Sequence, residues 1–214
     1  MRFSITTYLS AALLAAVLYS CQSGNQKTLP IIGERNTVER VVDGQTVVDT
    51  IYPTIPAFHF LNQDSLPISD KDFDNKVYVA DFFFTHCPSI CPTMQRNLLK
   101  VYEKYKGDER VAFLSHSIDF KYDTPSVLKA YADKLGVTND QWQFVTGSKK
   151  DIYDISEKYL VFTKEDENVA GGYDHQGYLV LVDSQKHIRG AYDGTNDEQV
   201  QQLSEDLEIL LNEQ

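Results

Sequence analysis

The chain has 214 residues, 42 % of them apolar and 12 % aromatic, enough to pack one domain core and too apolar for a disordered polypeptide. Its formal net charge of −11 excludes the basic surface that binding to nucleic acid or anionic lipid requires. An acidic surface of this kind suits cationic partners or a cationic metal, or serves solubility alone.

The first element is an export signal. Arg2 precedes a short apolar run over residues 8–19, followed by Leu18-Tyr19-Ser20-Cys21. A charged start, an apolar stretch too short to span a bilayer and a small residue before a cleavage point describe a signal peptide. Cys directly after Leu-x-Ser resembles the bacterial lipoprotein box, in which that Cys is acylated. The expected division is a signal peptide at 1–20, a lipidated Cys21 with a polar tether over 21–36, and a folded domain at 37–214. Cleavage removes Arg2 and leaves 19 basic against 31 acidic residues. The expected location is outside the cytoplasm, held to the membrane by the lipid, on the periplasmic side in a Gram-negative cell. No nucleic acid is expected as a partner. With Cys21 lipidated, Cys87 and Cys91 remain. In an oxidising compartment two thiols so close form a disulfide unless a reductant or a metal protects them.

Within the domain, residues 37–52 predict a hairpin around the turn dipeptide Asp43-Gly44. A second extended stretch runs over 55–61. Residues 77–85 form an apolar, β-rich run, read as a buried central strand. Residues 93–106 place Met94, Leu98, Val101, Tyr102 and Tyr105 on one helical face. A strand follows over 111–118, and a helix from Thr124-Pro125 to Leu135 is stopped by Gly136. A short strand at 142–145 and a helix at 149–160 come next. Residues 161–174 read as loop, a hairpin as 178–182 with 188–192, and a closing amphipathic helix as 197–211. This plan is α/β, with a mixed central sheet flanked by helices and an N-terminal β-hairpin. A strand–helix–strand start followed by a hairpin and a last helix fits a thioredoxin-like fold.

The chemistry gathers in the segment Asp81-Phe82-Phe83-Phe84-Thr85-His86-Cys87-Pro88-Ser89-Ile90-Cys91-Pro92-Thr93-Met94. Two Cys stand where a buried strand ends and a helix begins, where backbone N–H groups and the helix dipole favour thiolate. Pro92 predicts an irregular approach, with regular helix from about that residue. Thioredoxin redox sites use C-x-x-C, whereas this chain has C-x-x-x-C. The last proline is Pro125, so the place before Tyr178 where thioredoxins carry a cis-proline holds Asp174-His175-Gln176-Gly177 instead. Two thiolates and an imidazole suit Cu(I), would need a fourth donor for Zn²⁺, and also admit Cu(II). His86 adjoins Cys87 and could coordinate or tune the thiolate, though many neighbours of this kind do neither. His59, His116 and His187 lie in strand-like segments and read as structural. Without further information the dithiol reads as a redox pair ahead of a metal pair. A peroxidase lacks its T-x-x-C setting here, and no phosphate loop or dinucleotide fingerprint is present.

The same segment is similar to the Sco/SenC signature F-x-[FYW]-T-x-C-P-x-x-C-P. Ser117-Ile118-Asp119 with Asp123-Thr124-Pro125 resembles that family's S-[VI]-D-P-x-x-D-T-P stretch. Gly136, Trp142 and Thr146-Gly147 fit the next block. Asp174-His175 with Tyr178-Leu179 and Asp183 resembles D-H-S-x-x-x-Y-L-x-D. Departures are Phe120 for the usual Pro, Gln176 after the histidine and Ser184 after Asp183; none is at a ligand position. The resemblance, from about residue 55 to 192, implies a thioredoxin-like fold and copper, Cu(I) and also Cu(II), held by Cys87, Cys91 and His175, with Asp174 placed to orient the histidine ring. It implies a metallochaperone that assists assembly of the dinuclear copper centre of cytochrome c oxidase. The copper-site subunit of that oxidase and a thiol reductant of the thioredoxin type would be its partners. Some relatives act as thiol–disulfide oxidoreductases, for which Cys87 and Cys91 would be the catalytic dithiol. A copper or redox sensor that binds a partner on metal loading is a third reading.

Overall fold

The computed structural model describes residues 28–213; the signal segment and Cys21 lie outside the described residues. Strands β1 (Asn36–Val42) and β2 (Gln45–Ile51) form the expected hairpin. Asp43 and Gly44 both take positive φ, 52° and 77°, the geometry whose twist matches that of paired strands. The hairpin is a sheet of its own, and nearly all of it is exposed. Neither face is apolar throughout, because Glu39, Arg40 and Asp49 interrupt the valines, and Arg40 and Asp49 pair across the strands.

The main sheet has seven strands in the order β11-β10-β5-β6-β7-β3-β4. β5 (Val77–Phe83), β6 (Val111–Ser117) and β7 (Trp142–Thr146) run parallel. β10 (Tyr178–Val182) and β11 (Ile188–Asp193) add an antiparallel hairpin beside β5. β3 (His59–Asn62) and β4 (Pro67–Ser69) close the far edge. Every residue of β5 and β6 is buried, as a strand covered on both faces must be. Asp81 and Phe83 point to the face that carries α1 (Cys91–Tyr105) and α2 (Pro125–Leu135), where they meet Gln95 and Tyr131. Tyr78 and Phe82 point to the other face and meet Tyr159, which follows α3 (Lys149–Lys158). The last helix, α4 (Asp197–Asn212), packs on α1 and on the β10–β11 hairpin. Gly136 ends α2 at φ 80°, and Asn196 caps α4 by accepting from the N–H groups of Glu198 and Gln199. Among the described residues no helix is long and apolar enough to cross a membrane.

Three segments depart from the sequence reading. Residues 55–61 become strand only from His59, and β4 with the 3-10 turn Asp70–Phe73 follows unannounced. Residues 161–174, expected as loop, form part of a small hairpin: β8 (Thr163–Glu165) pairs with β9 (Tyr173–His175). Three residues per strand, charged on one and tyrosine and histidine on the other, leave no apolar period to read. The part of the expected tether that is described also packs. Leu29 is buried, Arg189 donates to its carbonyl at 2.6 Å, and Ile32 N–H donates to Ile188 O at 2.8 Å. Among the described residues packing thus reaches back to Leu29, ahead of the expected boundary at 37, because Arg189 lies almost buried and draws carbonyl acceptors to itself.

Leu98 on α1 is wholly buried, so Leu98→Ala is expected to cost about 2–5 kcal/mol of stability in urea denaturation. Replacing residues 36–51 by a short Gly-Ser loop should change it by less than about 1 kcal/mol, because that surface is already exposed. A hairpin deletion as damaging as Leu98→Ala would show that the hairpin is part of the core.

Candidate metal centre

The chain leaves β5 at Phe83 and takes seven residues to enter α1. Cys87 N–H donates to Phe84 O at 3.3 Å, which folds the crossing back on the strand end. Helix begins at Cys91, with Pro92 in the first turn, where a missing N–H costs nothing. The N–H groups of Thr93 and Met94 both reach Ile90 O, at 3.1 and 3.0 Å. The irregular approach and the regular helix from about Pro92 are both present. Cys87 therefore sits on the loop and Cys91 in the first helical turn. Both are free thiols, 7 % and 1 % exposed.

The third donor comes from 84 residues later. His175 ends β9, half-buried, and its Nε2 lies 3.4 Å from Cys91 Sγ. The donor atoms of Cys87, Cys91 and His175 all lie within 4.8 Å of one another. Phe84 makes this possible: Tyr173 packs on its ring at 5.1 Å and the His175 ring meets it edge-on at 5.7 Å. Gly171, at φ 90°, lets the β8–β9 connection settle on the Cys loop. A Cβ there would come within 2.8 Å of Phe84 and 3.0 Å of Pro88.

Asp174 does not take the place expected for it. Alternate residues of a strand face opposite ways. Tyr173 and His175 turn to Phe84, and Asp174 turns outward to Lys164, 4.0 Å away. His175 Nδ1 is buried without a hydrogen-bond partner. The ring is oriented by aromatic packing and strand pairing in place of a carboxylate.

Two other aspartates, matched in the sequence without a role, support the centre. Asp123, 1 % exposed, accepts from Thr85 N–H at 3.0 Å and Ser117 Oγ at 2.6 Å, and so fixes the loop that carries Cys87. Asp119, 4 % exposed, accepts from the Tyr173 hydroxyl at 3.2 Å, two residues before His175. His59, His116 and His187 lie apart from the three donors. His116 is buried against Phe82, its rings stacked at 4.6 Å, and burial pushes its pKa down to about 3. His187 is 3.5 Å from Asp183, and His59 lies exposed on β3.

The two sulfurs are not equivalent. The Cys91 side chain beside it, assisted by His175 and opposed by burial, holds the Cys87 thiol well below its ordinary pKa. The neighbouring Cys87, together with deeper burial, pushes Cys91 up. Cys87 is thus the better thiolate of the pair. Beneath them Asp81 is wholly buried; burial pushes its pKa up to about 7, against hydrogen bonds from Ser115 and from Gln95 at 2.6 Å. Two soft sulfurs and one imidazole fit a low-coordinate soft ion such as Cu(I). Among the described residues no carboxylate joins the three donors to complete a Zn²⁺ set.

Two measurements follow from these asymmetries. Brief iodoacetamide treatment at pH 6, mapped by mass spectrometry, should label Cys87 several-fold ahead of Cys91; equal labelling would contradict the assignment. Asp81 stabilises the fold while protonated. That contribution is complete below the unfolded carboxylate range and is lost as pH rises towards 7. Urea denaturation should therefore show the parent losing roughly 2 kcal/mol more between pH 5 and 8 than Asp81→Asn. Parallel pH profiles would remove Asp81 as the cause.

The comparisons agree with this site. The SCO1/SenC family profile matches residues 49–212. The SCO1 protein homolog of Bacillus subtilis is 31 % identical over 157 residues, covering 71 % of this chain and 79 % of its own. A SCO1/SenC family lipoprotein from Bacillus anthracis is 32 % identical and superposes with a TM-score of 0.68 over 74 % of this chain and 95 % of its own. BsSco, a protein with a disulfide switch from the Sco family of cytochrome c oxidase assembly proteins, is 27 % identical. Its TM-score is 0.62 over 72 % of this chain and 93 % of its own. Sco proteins solved with copper bound, 21 to 23 % identical, share the fold. The thioredoxin-like architecture, the three converging donors and the match over residues 49–212 lead to one conclusion: the chain belongs to the SCO1/SenC family.

Proposed function

We propose that this protein binds copper on Cys87, Cys91 and His175 and delivers it to the dinuclear copper centre of cytochrome c oxidase. The observation that carries the reading is the convergence of two thiols and one imidazole, from elements 84 residues apart, within 4.8 Å. Copper here is cargo. The thiolate of Cys87 offers the first donor, and His175 Nε2 and Cys91 Sγ supply the other two as each gives up the proton between it and the thiolate. The near-complete burial of both sulfurs excludes competing water. The relationship to a Sco protein of the oxidase-assembly family supports the recipient. Residues 1–20 act as the signal and Cys21 as the lipidated anchor, with residues 37–214 as the working domain outside the cytoplasm. The lipoprotein relative from Bacillus anthracis supports that form.

The inequality of the two thiols favours a second reading, reduction of the recipient's copper-site cysteines. Cys87 thiolate would attack the target disulfide, forming a mixed disulfide and releasing one target thiolate. Cys91, giving its proton to that thiolate, would then attack Cys87 Sγ and release the second. Two electrons pass to the target, and Cys87 and Cys91 end as a disulfide that a thioredoxin-type thiol reductant restores.

Copper content and affinity of residues 22–214, purified under reducing conditions, test the first reading beside His175→Ala. One copper per chain is expected, bound on the order of 100-fold more weakly in the variant. Equal binding by the two, with rapid disulfide reduction retained, would leave the oxidoreductase reading in its place.

A further inference from the structure

His86 stands beside Cys87 on the same loop, exposed to solvent, and the hydrogen bonds behind it fix which of its nitrogens is bare. Asp123 is buried, and its carboxylate accepts from Thr85 N–H, from Ser117 Oγ and from Thr85 Oγ1. A carboxylate has no proton to return, so the single hydroxyl proton of Thr85 goes to Asp123. Thr85 Oγ1 is left with lone pairs only, and His86 Nδ1 lies 3.0 Å from it. That contact is a hydrogen bond only if Nδ1 carries the proton and donates. In the neutral ring Nε2 then holds the free lone pair. A carboxylate that fixes the far nitrogen of an imidazole, here through a hydroxyl, is the arrangement by which proteins prepare a histidine to ligate a metal.

The other histidines outside the centre have no such preparation at an open position. His116 is enclosed by aromatic rings, and His187 lies beside Asp183. His86 also differs from the three donors already described. It is not among the atoms that lie within 4.8 Å of one another, and it is exposed where Cys87 and Cys91 are nearly buried. His86 is thus an exposed imidazole on the loop whose Cys87 sulfur is nearly buried.

We propose that His86 is the entry ligand of the centre. Its Nε2 takes Cu(I) from the donor and hands it to the Cys87 thiolate. The copper–nitrogen bond breaks as copper–sulfur bonds form, copper stays Cu(I), and no electron moves. The Cys91 proton leaves to solvent as that sulfur binds. Thr85 and Asp123 act through His86 and are positioning residues. The proposal rests on the copper-binding reading above.

Transfer of Cu(I) from its coloured bicinchoninate complex gives both a rate and a final occupancy from the loss of colour. His86→Ala should slow transfer about tenfold and leave the final occupancy within twofold of the parent. Thr85→Val keeps the ring but frees its tautomer, and should slow transfer about threefold. His175→Ala, by contrast, should lower occupancy. A transfer rate in His86→Ala within twofold of the parent would overturn the entry role. So would an occupancy loss as large as that of His175→Ala, which would make His86 a resident ligand. If the parent itself takes up no copper, the copper-binding reading fails and His86 falls with it; a loaded parent beside an unslowed His86→Ala sinks the entry role alone.

Discussion

Strand β5 has both of its edges paired, one to β6 and the other to β10, and this double pairing governs where the chemistry can stand. Its backbone groups are consumed by neighbours and its side chains by the layers on either face, so functional groups can gather only where it ends. The parallel partner β6 brings the loop of residues 117–123 to that end, with Asp119 and Asp123. The antiparallel partner β10 starts there, which draws the residues just before it, His175 among them, up to the sulfurs. Three donors from distant stretches of chain meet because one strand imposes its end on both neighbours.

At that end, desolvation acts in opposite directions on adjacent groups. It leaves Asp81 holding a proton in the neutral range and works against the thiolate of Cys87. The thiolate persists because the Cys91 thiol and His175 are directed at it. The closeness of the two sulfurs therefore separates a better thiolate from a more reluctant one. Under the two readings proposed above, copper handling and disulfide exchange would use the same geometry.

Much of this architecture was legible in the residues. The Asp43-Gly44 hairpin, the apolar β5, the Pro125-to-Gly136 helix and the Cys87-Cys91 approach all carry strong local signals, and the structure has each of them. The grouping of His175 with the cysteines was legible only through the place a thioredoxin-like fold gives the residues before Tyr178 and through family resemblance, because nothing local joins residues 84 positions apart. Other features lacked any period to read. The β8–β9 hairpin is too short for alternation, and its two-residue period turns Asp174 away from the ring it was expected to orient. Asp119 and Asp123 were visible as a motif, yet their work depends on tertiary partners, Tyr173 and Thr85. Leu29 looked like part of a polar tether because its partner, Arg189, lies at the other end of the chain.

The docking of residues 29–32 gives the domain a polarity. Ile32 is bonded at Ile188, which neighbours Val182 and, across it, Tyr78, at the beginning of β5. The sulfurs lie past the finish of the same strand, roughly 15–20 Å away at the usual rise per residue. The chain thus enters at one pole and presents its donors at the other. Six residues separate Cys21 from Thr28, seven steps of chain that reach at most about 25 Å. On the lipidation of Cys21 proposed above, the anchor would join the domain at the pole opposite the sulfurs, leaving the donors on the side turned from the attachment. Such an attachment would suit a target that projects from the bilayer.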